Sequence, residues 1–309
     1  MKSYVSPRTN PSQSSYNAGY NAGLHRYAVA LAVCTLLLVV AGASVTSNQA
    51  GLSVPDWPLS YGQVMPQMTG GVLFEHGHRM VATFVGMLTI GLAIWLTLAE
   101  RRSWMKTLGW IALGAVVVQG MLGGLTVLLL LPPAVSVSHA CLAQLFFSTT
   151  VAIAVFTSRS WQDGAELVQD YGTPSLRSLA VMVPVLLLAQ VALGAAFRHG
   201  AMTVMAHVIG AMVVTPAVLI VCAFVLHQFP EHRSLRRGAI ALLSITLAQV
   251  MLGIGAYFTR SNVDKNPLLM VIVTVAHVAT GALTLASSVV LAIQVRRNVT
   301  APVREAVAA

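Results

Sequence analysis

Polar and apolar residues along this chain segregate into long blocks instead of alternating. Apolar blocks stand at about 27–46, 78–98, 107–130, 135–157, 178–197, 204–226, 238–258 and 270–294, and most of the charged residues lie between them. The hydrocarbon core of a bilayer takes about 20 residues of helix to cross. Backbone groups in lipid have no water to bond, so a helix, which satisfies its own, is the natural spanning element. The pattern therefore predicts an all-α membrane protein with eight transmembrane helices. Residues 1–26 are polar, rich in Ser, Asn and Tyr, and read as a tail without the apolar core and cleavage site of a secretory signal. The tail is also poor in Arg for a transit peptide, which points to a bacterial inner membrane.

A repeat runs through the blocks. Gln119-Gly-Met-Leu-Gly123 closes the third and Gln249-Val-Met-Leu-Gly253 the seventh, and Gln190-Val-Ala-Leu-Gly194, near the end of the fifth, is a weaker copy. Each is followed by a loop and then by a histidine. The chain reads as two pseudo-repeated four-helix bundles, 27–157 and 178–295, joined by a linker at 158–177 and ending in a tail at 296–309. Glycines at these positions suit close helix approach, with room for a cofactor as a second role. Repeated halves also occur in transporters, so the repeat alone names no function.

Composition agrees with the pattern: 56% of residues are hydrophobic and 9% charged, which leaves no soluble surface to cover. The net charge of +9 raises nucleic acid as a partner, but the placement of the charge removes that reading. Of 18 Lys and Arg residues, all but Arg79, Arg198, Arg260 and Lys265 fall on one side of an eight-span topology. The positive-inside rule puts that side, with both termini, in the cytoplasm. The charge is membrane topology, and the predicted surroundings are lipid.

The candidate chemistry lies on the opposite side. His78, His139, His207 and His277 each stand near the start of an even-numbered span, so all four share one depth. Ionisable residues in membrane spans are costly and mark function. Four imidazoles on four helices suit two pairs of axial ligands to iron porphyrins. For any single one, a plain interfacial residue is the competing explanation. His25, His227 and His232 lie among basic residues at the cytoplasmic boundary and read as surface groups. His76 and His199 are on the outer side but have no counterpart in the other half. Cys34, Cys141 and Cys222 are isolated within spans, without the ligand spacing of structural zinc, and read as small core residues.

The two halves differ at Glu75. It precedes His78 by three residues, which on a helix puts both side chains on nearly one face, while His76 points away. No acid accompanies the other three histidines. Such a carboxylate can take protons or stabilise developing positive charge, or it can simply cap the helix. Arg79, on the same turn, suits a haem propionate, and equally Glu75 or a lipid phosphate. The outer loop before it is about 30 residues long, and long loops tend to carry function. It is either a lid over the first histidine pair or an interfacial anchor through Trp57 and Tyr61.

The run Gly51-Leu-Ser-Val-Pro-Asp-Trp-Pro-Leu-Ser-Tyr-Gly62, then Glu75-His-Gly-His-Arg-Met80, then Gly123-Gly-Leu-Thr-Val127, Leu131-Pro-Pro and His139-Ala resembles the haem A synthases. The resemblance continues through His207 in Met-Ala-His-Val-Ile-Gly and His277 in Ala-His-Val-Ala-Thr-Gly, and so covers both halves. It implies oxidation of the C8 methyl of haem O to a formyl group, which gives haem A for terminal oxidases. It also implies a resident haem b. With the residues themselves it suggests a division of labour: His207 and His277 as axial ligands of haem b, His78, His139 and Arg79 around the substrate haem O, and Glu75 as the catalytic acid or base. Haem O synthase, a protohaem farnesyltransferase, becomes the expected donor, and an electron acceptor that no motif identifies is a further partner. Many bacterial members carry a cysteine pair in the first outer loop where this chain has Val54 and Ser60, so a thiol role does not carry over.

Two other classes compete. A di-haem b-type membrane cytochrome, carrying electrons without modifying haem, needs the four histidines but neither Glu75 nor the long loop. A transporter calls for broken helices and charges near the midplane, and the spans show no such charges.

Overall fold

The computed structural model describes residues 20–170 and 174–300. Eight long helices dominate it: α1 (Ala22–Ser47), α2 (Gly71–Ala99), α3 (Ser103–Leu128), α4 (Pro133–Thr157), α5 (Leu176–Arg198), α6 (Val204–Gln228), α7 (Arg233–Ser261) and α8 (Pro267–Asn298). All eight are long and apolar enough to cross a membrane. This is a multi-pass membrane protein, as the block pattern predicts. Large apolar side chains such as Leu37, Met87, Met212 and Leu247 point outward, the arrangement expected where lipid, not water, surrounds the helices.

Boundaries move where caps outweigh hydropathy. Asn21 and Asn266 each accept a hydrogen bond from the backbone N–H three residues on, which starts α1 and α8 ahead of their apolar blocks. Pro133 and Pro267 open α4 and α8 at positions where a missing N–H costs nothing. Helix α2 begins seven residues before its expected span, so Glu75, His76, His78 and Arg79 all ride on helix. Pro184 and Pro216 lie inside α5 and α6, yet both helices run through unbroken.

Each half closes on itself in the same neighbour order. In the first, α1 packs on α2, α2 on α3, α3 on α4 and α4 back on α1; in the second, α5 to α8 repeat the circuit. Each half has its own apolar core. A third, smaller cluster joins them, with Val39 of α1, Phe147 of α4 and Ala282 and Ala286 of α8. The alanines bring helices close where bulkier residues would hold them apart.

The linker and tail are more ordered than a polar connection suggests. Arg159–Gln162 form one helical turn, and Val168–Gln169 pair in parallel with Val299–Thr300. Arg297 stacks over Trp161 at 4.1 Å and donates to the carbonyls of Trp161 and Gly164. His232, expected on the surface, is buried: it caps α7 by accepting from the Leu235 N–H and bonds the Glu166 carbonyl at 3.0 Å. His25 is half-buried, with Nδ1 3.2 Å from the Thr157 hydroxyl, and His227 is exposed as expected. The remainder of the two expected tails, 1–19 and 301–309, lies outside the described residues.

Candidate haem sites

The four histidines occupy the opening turns of the even helices α2, α4, α6 and α8, at one end of the molecule. Every one of them lies against a glycine of the preceding odd helix. A Cβ built on Gly42 would stand 3.1 Å from Cε1 of His78; on Gly123, 3.3 Å from that of His139; on Gly194, 2.9 Å from that of His207; and on Gly253, 3.0 Å from that of His277. These glycines leave the space that the imidazoles fill, which is a narrower role than general helix approach.

One turn before three of those glycines stands the repeated glutamine. Gln119 Nε2 donates to the His139 carbonyl at 2.9 Å, and Gln190 Nε2 to the His207 carbonyl at 2.8 Å. Gln249 Nε2 lies 3.4 Å from a ring nitrogen of His277, whose Nδ1 is 3.2 Å from the Gln249 carbonyl. The weaker sequence copy at Gln190 is thus as complete in space as the others. In α1 the equivalent position is Leu38, so His78 has no such partner.

In the second half the rings of His207 and His277 have centroids 6.2 Å apart and planes at 89°. Two metal–imidazole bonds of about 2 Å each, plus the distance from each nitrogen to its ring centre, come to roughly this separation. Donation from His277 Nδ1 to the Gln249 carbonyl, the usual outer partner of a metal-bound imidazole, fixes the tautomer in which Nε2 is unprotonated, and Gln249 Nε2 stands 3.4 Å from that Nε2. A haem fits this pair. In the first half, His78 and His139 lie against Gly42 and Gly123. Each has a buried ring nitrogen without a hydrogen-bond partner. An unmet buried polar atom costs about 1–3 kcal/mol, and a ligand removes that cost.

Beside the first pair, Glu75 is only 4% exposed. It does not cap its helix, since the N-cap is Gly70 without a side-chain bond. Its Oε1 accepts from Arg79 at 2.7 Å, and its Oε2 accepts from the Val54 N–H at 2.9 Å. Arg79 also donates to the carbonyls of Asp56 and Leu59, each at 2.8 Å. The structure therefore gives the Arg79 Nη donors to Glu75 and the loop. His76, which sequence reasoning set aside for want of a counterpart, is buried and its Nδ1 lies 2.8 Å from the Ser60 hydroxyl. Its only signal was its place between Glu75 and His78, on the opposite face of the helix.

These bonds fold the first outer loop onto the bundle. Trp57 lies over Gly124, where a Cβ would come within 2.7 Å of the indole, one residue from the glycine that meets His139. The Tyr61 hydroxyl donates to the Ser53 carbonyl. The Asp56 carboxylate accepts from the Gly62 and Tyr61 N–H groups, each at 2.7 Å, and these hold its pKa below the ordinary carboxylate value. Tyr61 and Gly62 both have positive φ, which makes the tight turn those bonds require. The loop is a cover tied to α2 and α3. Its ties run through Val54 and Ser60, the two positions where many bacterial haem A synthases carry cysteine.

Comparison with known proteins agrees with this layout. Residues 68–303 match the family model described as cytochrome oxidase assembly protein. The haem A synthase of Symbiobacterium thermophilum is 29% identical over 247 residues, 71% of this chain and 80% of that protein. That of Alkalihalophilus pseudofirmus is 29% identical over 144 residues, 45% of this chain and 47% of that protein. A shorter stretch of 65 residues is 42% identical to the protohaem IX farnesyltransferase of Haloarcula marismortui, covering 21% of this chain and 14% of that protein. The family match takes in α2 to α8 whole and every histidine of the two pairs, and the chain belongs to the cytochrome oxidase assembly protein family, as its resemblance to the haem A synthases implied.

Proposed function

We propose that this chain is a haem A synthase of a bacterial inner membrane, with cytoplasmic termini, which oxidises the C8 methyl of haem O to a formyl group. The observation that carries this reading is the buried Glu75 carboxylate, present beside one imidazole pair and absent beside the other. The second half is a pure bis-imidazole site, suited to a resident haem b on His207 and His277. When bound, haem b supplies one-electron redox chemistry.

His78 and His139 hold the haem O substrate from its two faces, and its farnesyl tail reaches the site from lipid. The methyl is oxidised twice, each time taking an oxygen from water and giving up two electrons and two protons, through an alcohol and a gem-diol that loses water to the aldehyde. Electrons leave the methyl carbon ahead of its protons, so positive charge develops beside the ring. Glu75 stabilises that charge or takes the proton at a carboxylate oxygen. A low-dielectric setting strengthens the effect. Arg79 serves the substrate site by fixing Glu75 and the loop together. The family relationship and the haem A synthase relatives support the reaction class, and the short match to a protohaem farnesyltransferase supports haem O synthase as donor. Electrons leave to an acceptor in or at the membrane.

Haem extraction and chromatography from cells supplied with haem O test the reading. The native protein should yield haem b with haem O or A. Glu75→Gln keeps shape and hydrogen-bonding atoms and loses only the charge. It should retain haem b while haem A falls about 100-fold or more, the usual scale for losing a general acid or base. Glu75→Asp, one methylene shorter, should be partly active at best. His207→Ala or His277→Ala should remove the low-spin haem b signal. Haem b alone in the native protein would identify an electron-carrying cytochrome instead, and near-normal haem A from Glu75→Gln would leave the chemistry to the histidines.

A further inference from the structure

The outer end of the second half carries two arginines that the reaction does not use. Arg198 lies four residues after Gly194, and Arg260 seven after Gly253. One and two helical turns of spacing put each arginine on the same face as the glycine that meets an imidazole. Both therefore stand outward of the His207–His277 pair, one from α5 and one from α7. The Arg260 guanidinium lies 5.1 Å over the ring of Phe197, the neighbour of Arg198, so the two cations share one corner.

Arg198 is half-buried and reaches across the seam between the halves: its Nη2 donates to the Ala43 carbonyl at 2.9 Å and to the Ser47 hydroxyl at 2.6 Å. Its Nε and Nη1 have no partner among the described residues. No carboxylate there forms an ion pair with either arginine, although Arg79 and Arg102 each have one. Two like charges gathered without a counter-anion repel each other and are costly to desolvate. The arrangement calls for an anion, and guanidinium matches a carboxylate through two parallel bonds.

We propose that Arg198 and Arg260 form a carboxylate site for a propionate of the resident haem, a reading that rests on the assignment of haem b to His207 and His277. The first half lacks this device. The position four residues after Gly42 is Thr46, and the position seven after Gly123 is Leu130. The Nη donors of Arg79 are committed to Glu75 and the loop. The asymmetry suits the two tasks: a cofactor that must stay is clasped at its acidic edge, and a substrate haem that must leave is not. Arg198, bonded to α1 beside Gly42, also ties the cofactor's edge to the helix that backs His78.

Resonance Raman spectra and redox titration of the purified, haem-loaded full chain test this. Arg198→Gln and Arg260→Gln should each shift the haem propionate-bending mode, which reports hydrogen bonds to that group. Each should also lower the haem b midpoint potential, because lost positive charge favours the oxidised, more positive iron. Ser47→Ala removes one of the two α1 contacts of Arg198, leaves that to the Ala43 carbonyl and spares the guanidinium, and should move neither reading. Arg260 is exposed, so its variant carries the test if Arg198→Gln fails to fold. An unmoved propionate mode in both arginine variants overturns the proposal, as does a potential shift that follows only the exchange of anionic for zwitterionic lipid, which would assign the site to a phosphate headgroup. A low-spin haem b signal that survives His207→Ala would instead overturn the haem assignment beneath it.

Discussion

The cover over the proposed substrate site hangs on a few polar atoms. Ser60 and Val54 are fully buried in the loop, and the Ser60 hydroxyl meets a histidine that no repeat or motif singled out. Ser60→Ala should leave His76 Nδ1 unpaired at a cost of about 1–3 kcal/mol. Hydrogen exchange of the Gly51–Gly62 amides should rise while the haem b spectrum stays unchanged; unaltered exchange would show that the hydroxyl does not hold the cover. Asp56 adds a pH dependence of definite sign. Its folded pKa is depressed, so its contribution is complete above the ordinary carboxylate pKa and is lost as pH falls through the folded value. Exchange in the Tyr61–Gly62 turn should therefore accelerate on acidification, and Asp56→Asn should abolish that acceleration.

At the scale of the element, the working unit is a pair of helices, odd then even, in which a glycine makes room for an imidazole. Four such pairs occur, and in three of them a glutamine one turn away steadies the histidine backbone or ring. A branched side chain on Gly253 would enter the His277 ring, since even a Cβ there stands 3.0 Å away. Gly253→Val should cost about 1–3 kcal/mol of packing strain and should displace the ring enough to lose most of the low-spin haem b signal. Gly114→Ala, where a Cβ meets nothing within 4 Å, is the matched control and should leave the spectrum intact. Equal spectra from the two variants would deny the glycine any role at the iron.

At the scale of the molecule, two closed four-helix rings meet along α1, α4, α5 and α8, and the repeated order puts all four imidazoles at one end. In the proposed topology the other end, which carries most of the basic residues, faces the cytoplasm. In a single-cysteine background, an impermeant thiol reagent added from outside should label a cysteine at Gln63 and spare one at Ser103. The reverse pattern would invert the topology and place the covering loop in the cytoplasm.

Hydropathy determined the number of spans, and residue identity determined the four histidines and Glu75. A block of about 20 apolar residues has few alternatives in lipid, and an ionisable group at a span's edge is conspicuous in a chain where 9% of residues are charged. Helix ends were less legible, because α2 starts on loop contacts and not where hydropathy rises. The two partners of Glu75, the burial of His76 and His232, and the service of Gly42 to His78 were decided only by the fold. Each depends on a contact between residues well apart in the chain, and neither hydropathy nor local spacing records which side chains a helix crossing brings together. For the same reason the sequence marks Arg198 and Arg260 only as two basic residues on the sparsely charged side. Packing alone places them on the helix faces outward of His207 and His277, with no acid of the described chain beside them.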